Sequence, residues 1–432
     1  MTPWTVTFWI GSVSAVLMAQ GLSAQSLSQS IQLALSADKA VASASARLHA
    51  ADLRAKAAGL AYLPLLKAGG SYQYLSDPSS ISLSLPSGSK SIDLSQTNAY
   101  DLTAGIQWTV FDGLAREANV HIKQEQQRSA ANNLETQRRQ TALQTITAYR
   151  SAQAAQLQVQ ILASAAQQTE LLLKQTQSLF QQGMAKEVDV LSLQLSLLDD
   201  QQKSLAAQAL LADAQETLQT LTQTMISVDA APQGLVPLNL PPFDPHGLTS
   251  IRGLVIQETV LKMTQQIAAS TLLPRLDTSF TLHQGLPGVN PSQNQWMTYA
   301  TAGLQLTWSY DWGSAGLEAA AVSKTLDAAR LDEASARDQA LQRYNSAVRD
   351  WKSAQAQLAV LKTSLDLAAT KLRISKTQFA QGQTTSVSLN EAVLSQSQAT
   401  LNYRSQVLSL LLKASQIDAL SGQNLDQWRT AE

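Results

Sequence analysis

At 432 residues the chain has room for two ordinary domains or one duplicated one, and a formal charge of −1 excludes a nucleic-acid footprint or a polybasic membrane patch. Hydrophobic residues make up 44% of it, much of that alanine, with Gln, Ser and Thr outweighing charge in the remainder, a mixture suited to close-packed helices. The absence of cysteine excludes a disulfide framework, a thiolate metal site and lipid attachment at an export signal.

In chain order, the first element is an export signal. An apolar stretch from Phe8 to Ala19 leads to small residues, and cleavage after Ala24 fits them, giving a signal peptide over 1–24. It departs from the usual pattern in having no Lys or Arg before Lys39. The run is short and broken by Gly11, Ser12 and Ser14, which argues against a membrane anchor, and nothing later offers twenty apolar residues.

The rest divides into a first repeat over 25–226, a proline-rich connector over 227–249 holding five of the twelve prolines, and a second repeat over 250–432. Phe180-Gln-Gln-Gly183 followed by Val188 recurs as Phe379-Ala-Gln-Gly382 followed by Val387, and Phe111-Asp112 recurs as Tyr310-Asp311, all at an offset of 199 residues. Leu63-Pro64 recurs as Leu273-Pro274 at an offset of 210, so a loop between these landmarks is eleven residues longer in the first copy.

Each repeat opens with a helix and continues into a strand hairpin, at about 66–111 and about 275–311. From Tyr100 to Val110 the even positions are Tyr100, Leu102, Ala104, Ile106, Trp108 and Val110, and the odd ones are polar or glycine. Ala302, Leu304, Leu306, Trp308 and Tyr310 alternate in the same way, and Ala68, Gly70, Tyr72, Tyr74 and Leu276, Thr278, Phe280, Leu282 mark the partner strands. Any one such strand also fits a water-soluble sheet. Here, however, Tyr72, Tyr74, Tyr100, Trp108, Trp296, Trp308, Tyr310 and Trp312 rim the apolar face as interfacial girdles do on a lipid-facing barrel. Four strands cannot close a membrane barrel, so several chains must contribute.

Proline-free helical territory follows each hairpin. Gly113 to Gln182 and Gly313 to Gln381 span roughly 105 Å if fully helical, and Gly183 and Gly382 turn the chain back. Val188, Leu191, Leu195 and Leu198 in the first return helix, and Val387, Leu394, Leu401 and Leu408 in the second, have coiled-coil spacing. Leu172, Leu179 and Phe180 are expected to face the first of these stripes.

Chemistry is hard to find. His49, His121, His246 and His283 are scattered without ligand spacing, and phosphate loops, nucleophile elbows and cysteine nucleophiles are absent. The expectation is a protein that is not an enzyme, with no catalytic residue, no metal and no cofactor. Asp112 and Asp311 read as helix caps at strand exits.

The Leu-Pro junctions, the Val110-Phe-Asp-Gly113 strand exit and the two glycine hairpins, in this order and twice over, closely resemble the outer-membrane efflux proteins, the TolC-like family. The resemblance implies a mainly α protein with a membrane β-barrel. In a homotrimer, each protomer would give four strands to a twelve-stranded barrel in outer-membrane lipid and its helices to a periplasmic tunnel in a Gram-negative cell. It implies a passive exit duct in a tripartite efflux or type I secretion system, fed by an inner-membrane transporter through a periplasmic adaptor, without nucleic acid. A periplasmic coiled-coil scaffold without a barrel is the alternative. By the same resemblance Gly183, Met184, Gly382 and Gln383 are tips that contact the adaptor. Ser388 and Glu391 occupy two acidic gate positions, of which only one is acidic here. Asp189 occupies a latch position whose arginine partner falls on Thr384. Both carboxylates also suit the first turn of an ordinary helix.

Overall fold

The computed structural model describes residues 24–86, 88–234, 239–290 and 293–428. The expected signal peptide lies outside the described residues but for Ala24, as do Pro237 and Pro291. The elements run β1 (Ala24–Gln25), α1 (Leu27–Ala37), α2 (Lys39–Gly59), β2 (Leu65–Tyr74), β3 (Ser80–Leu85), β4 (Gly88–Asp93), β5 (Asn98–Phe111), α3 (Ala115–Gln181) and α4 (Glu187–Thr222). After β6 (Ser227–Val228) come α5 (Thr249–Ser270), β7 (Arg275–Leu286), β8 (Met297–Thr307), α6 (Ser314–Ala380) and α7 (Ser386–Ser421).

The duplication is visible in the lengths. α3 and α6 have 67 residues each, about 100 Å, and α4 and α7 have 36 each. Near the strands each long helix is backed by a short one, α2 on α3 and α5 on both α3 and α6; further away the return helices α4 and α7 take over. Local chemistry sets the starts. Ser26 and Gln29 form a capping box for α1, the Asp38 side chain accepts from Ala40 N at 2.7 Å to start α2, and Thr385 caps α7 by accepting from Ser388 N at 3.2 Å.

One antiparallel sheet has the order β2-β5-β7-β8, so the two hairpins pair with each other through β5 and β7. β3 and β4 form a separate two-stranded sheet within the connection from β2 to β5, and this is where the extra length of the first copy is spent. A bulge lies between Thr109 and Phe111. It adds one residue to the first copy, so before it the offset is 200 and Trp108 corresponds to Trp308. β8 ends at Thr307, which leaves Trp308 and Tyr310 past the strand rather than within it as alternation suggested.

The return helices require a correction. Val188, Leu191, Leu195 and Leu198 do not face Leu172, Leu179 and Phe180; all four are at least half exposed. α4 instead packs through Val190 and Leu193, two residues out of phase, against Leu172 and Leu173 of α3 and Leu389 of α7. Each fully buried leucine of this kind contributes about 1.5–3 kcal/mol. The expected stripe of the second copy is covered: Leu408 is buried with Leu157 and Ala231, and Leu401 packs against them.

Midway along α3, Tyr149 ties the helices to the short parallel pair β1-β6. Its ring is 1% exposed, its hydroxyl donates to Gln25 O at 2.8 Å, and it accepts from Asp229 N at 3.0 Å. Burial pushes the phenol up to about 12. The connector is thus anchored: Asp244 N donates to Ser421 O at 2.7 Å, and Phe243 packs on Tyr344 with ring centroids 5.4 Å apart. Tyr149→Phe leaves the Gln25 carbonyl and the Asp229 amide without this partner and is expected to cost about 1–3 kcal/mol. Thermal unfolding of the purified protein measures it; an unchanged midpoint would show that the hydroxyl contributes nothing.

Candidate functional site: the wall and the narrow end

The two faces of the sheet have the reverse of a soluble sheet's covering. Along β5, Tyr100, Leu102, Ala104 and Ile106 are exposed, whereas Asp101, Thr103 and Gly105 between them are half-covered. β7 and β8 continue the apolar face with Phe280, Leu282, Leu304 and Leu306, and Leu304 is 78% exposed. In water this would leave a large apolar patch unburied; hydrocarbon removes the cost. Among the described residues no helix is long and apolar enough to cross a membrane.

Aromatic side chains mark both ends of this face. At the hairpin end, Tyr72 and Tyr100 pack with centroids 5.0 Å apart, Trp296 lies 6.2 Å from Tyr100, and Tyr74 is exposed beside them. At the helix end, Trp308, Tyr310 and Trp312 form a second run, and Trp108 lies three residues before the end of β5. Tyr100 and Trp108 are separated by about 26 Å along the strand, close to the apolar band of an outer-membrane barrel.

Junctions between strand and helix repeat atom for atom. The Trp108 indole donates to Tyr62 O at 3.0 Å and the Trp308 indole to Leu272 O at 3.2 Å, each acceptor two residues before the Leu-Pro proline. Asp112 accepts from Arg116 N at 2.9 Å and Asp311 from Ala315 N at 2.8 Å, as caps. The duplication therefore retains the hydrogen bonds that bind wall to helix as well as the pattern of elements.

The other face of the sheet is a connected polar surface. Arg275 Nε lies 2.8 Å from Asp277, which also accepts from Thr109 Oγ1 at 2.6 Å. Towards the hairpin end, His283 lies 3.0 Å from Asp101 and stacks on Tyr299 with ring centroids 4.6 Å apart. These groups satisfy one another and leave no cluster of metal ligands among the described residues. Their surface suits water and small solutes.

At the far end both tips close in the same way. Gly183 N donates to Phe180 O and Met184 N to Leu179 O; Gly382 N donates to Phe379 O and Gln383 N to Gln378 O. This pair of hydrogen bonds requires a left-handed residue, and the two glycines have φ of +73° and +70°. Met184, Gln383, Ser388 and Glu391 are exposed, and Asp189 and Thr384 are half-covered. Ser388 and Glu391 lie one turn apart at the start of α7. Asp189 lies in the first turn of α4, with its amide donating to Lys186 O at 3.1 Å.

One polar group near this end gave no signal in the sequence. Asp200 is 1% exposed. Thr169 Oγ1 lies 2.9 Å from its carboxylate and 3.0 Å from Asn390 Oδ1, and Asn390 Nδ2 donates to Ser196 Oγ at 2.8 Å. α3, α4 and α7 meet here, so the cluster joins the first hairpin to the second. Burial holds the Asp200 carboxyl above its ordinary range, and the Thr169 bond and Lys203 offset this only in part. Such a group costs the folded state nothing in acid and progressively more as pH rises from about 4. Asp200→Asn is therefore expected to raise the unfolding temperature at pH 8 and to leave it near the parent's at pH 4. An equal shift at both values would remove the carboxyl from this balance.

Comparison with known proteins agrees with this geometry. A sequence profile described as outer membrane efflux protein matches residues 30–223, within the first repeat. Among curated proteins none matches. Among solved structures, the CmeC outer membrane channel of Campylobacter jejuni is similar with a TM-score of 0.75 at 13% identity, covering 100% of this chain and 95% of that chain. VceC of Vibrio cholerae gives 0.72 at 16% identity, over 91% and 96%, and the open state of the Neisseria gonorrhoeae MtrE channel gives 0.69 at 15%, over 94% and 91%. At such identities the likeness speaks for the fold, which is TolC-like, with long helices, four strands per chain and two repeats. The first repeat is thus similar to outer membrane efflux proteins by its profile match, and both repeats share the TolC-like architecture of the solved channels.

Proposed function

We propose that this protein is the passive exit duct of a tripartite efflux or secretion system, taking solutes from an inner-membrane transporter through a periplasmic adaptor and releasing them outside. The observation that carries this is the four-stranded sheet with its apolar face exposed and its polar face connected, continuous with helices of about 100 Å. TolC-like channels form trimers, and three copies of this sheet supply a twelve-stranded barrel. A duct of this kind stores no energy, so direction comes from the transporter.

At the tips, Gly183 with Met184 and Gly382 with Gln383 form the rounded ends offered to the adaptor. Exposure of Met184 and the open space beside both glycines, where a Cβ would meet no described residue beyond its chain neighbours within 4 Å, support this. Glu391 is assigned to the gate as three like charges around the trimer axis, with Ser388 one turn before it and Asp189 on the other hairpin. The Asp200 cluster supports a closed contact between the hairpins in place of an Asp189 ion pair, since position 384 is threonine.

Planar bilayer recording of the reconstituted protein tests the reading. Trimeric channels that favour cations are expected, with Glu391→Gln lowering the cation preference severalfold and Ser388→Asp raising it. No conductance from correctly trimeric protein would overturn the duct, and unchanged selectivity in both variants would take these residues off the pore axis.

A further inference from the structure

We infer that the open groove between α3 and α4, level with β1 and β6, lines the bore of the duct and holds amphipathic organic cations in passage. The inference rests on the trimeric duct reading and adds a place on the wall where a solute of stated chemistry pauses. Two helices packed side by side have two grooves between them. One is filled here: α1 packs on both α3 and α4, with Leu27 and Ile31 buried against Ala142, Ile146 and Leu218. Tyr149 joins the β1–β6 pair on the same side through Gln25 O. The other groove is an open cavity of about 920 Å³, and no residue of α1, β1 or β6 lines it.

The bore decides which side is which. Within one copy α3 packs against α4 and α7, and α7 against α6, so the helices stand side by side as a strip. Three such strips make a ring of twelve helices, the trimer being the form of TolC-like channels. At interaxial distances of about 9–10 Å the ring encloses a bore of roughly 26 Å. With α1 inside, about 10 Å thick and entering from three sides, roughly 6 Å would remain, and the strand pairs would fill that. α1 therefore lies on the outer side of the wall and the open groove on the inner.

The floor of the groove is apolar and its rim is acidic. Leu143, Ala148, Ala214 and Leu221 form the floor and complete the core behind it. The hydroxyls of Thr147 and Thr217 are tied to the carbonyls of Leu143 and Asp213 at 2.8 and 2.9 Å, so that a methyl group is the free end of each. Asp213 and Glu216 stand exposed on the α4 rim, and neither takes part in an ion pair among the described residues. The α3 rim is neutral, and no Lys, Arg or His lines the groove. A volume of this order takes a drug-sized molecule. An apolar floor beside two unpaired carboxylates selects one with a hydrophobic body and a positive charge. The groove is open along its length, which suits a solute that must leave as readily as it enters.

Because the chain has no cysteine, a single introduced thiol reports the side on which the groove lies. In trimers reconstituted in nanodiscs, Ser151→Cys, on the α3 rim, is expected to react with a small maleimide and not with a maleimide on a polymer too wide for the bore. Gln32→Cys, exposed on α1, should react with both. Rhodamine 6G, a fluorescent amphipathic cation, should show saturable binding above that to empty nanodiscs, read by anisotropy. Asp213→Asn/Glu216→Gln should weaken it severalfold, as should the small maleimide on Ser151→Cys, and an anionic dye of the same ring system should not saturate. Reaction of Ser151→Cys with the wide polymer would put the groove outside and overturn the inference. Failure to react with either reagent in trimeric protein would show that a neighbouring copy covers the groove and would overturn it equally. Rhodamine binding that is absent or unchanged in the double variant, or equal binding of the anionic dye, overturns the assigned occupant. All of these leave the duct standing, whereas a monomer, or a trimer without conductance, overturns the duct reading itself.

Discussion

A β-strand in hydrocarbon must have both edges paired, because no water is there to satisfy its amides and carbonyls. In this chain β2 and β8 are the first and last strands of the sheet, and each has one edge free. Among the described residues no other strand pairs with those edges: β3 and β4 pair only with each other, and the helices depart from one end of the sheet. A single copy in a bilayer would leave two ladders unsatisfied, so joining β8 of one copy to β2 of the next is a condition for the protein to exist there. The helical strip repeats this geometry outside the membrane, where hydrophobic edges take the place of unpaired backbone. The protomer is a segment of a wall at both levels.

Duplication suits such a segment. Each repeat supplies two strands of the main sheet, one long helix and one return helix, and the junction between strand and helix is tied by the indole hydrogen bonds of Trp108 and Trp308 and the caps of Asp112 and Asp311. Departures from the symmetry include α1, which has no counterpart before α5, the β3–β4 sheet, the bulge after Thr109, the earlier end of β8, and the tips, where α7 is capped by Thr385 and α4 starts at Lys186 without a side-chain cap.

Much of this was legible in the sequence because the signals are periodic or punctuated. Alternation from Tyr100 to Val110 identified the faces of β5, and Gly183 and Gly382 identified the tips, since a helix C-terminus of this kind admits few other residues. The neighbour of an apolar stripe was not legible. Val188, Leu191, Leu195 and Leu198 have coiled-coil spacing, but α4 has a second apolar face two residues out of phase, and spacing does not say which faces inward. Tertiary packing decided it, giving α3 the row through Val190 and Leu193. Asp200 was hidden for another reason: a carboxylate beside Asp199 and near Lys203 reads as helix surface, and only the meeting of three helices buries it. The assignments of Asp189, Ser388 and Glu391 came from resemblance, and their exposure and half-cover at the tips are compatible with it without deciding it.

The account stands on the outward apolar face of the sheet lying in lipid. Its most direct test is a scan of single spin labels along β8, from residue 300 to residue 307, in protein reconstituted into liposomes. Labels at the even positions, Ala300, Ala302, Leu304 and Leu306, should be relaxed by oxygen dissolved in the bilayer, and labels at the odd positions by a water-soluble nickel complex. Nickel access along both faces would contradict the account, because the sheet would then stand in water and the wall described here would not be a membrane wall.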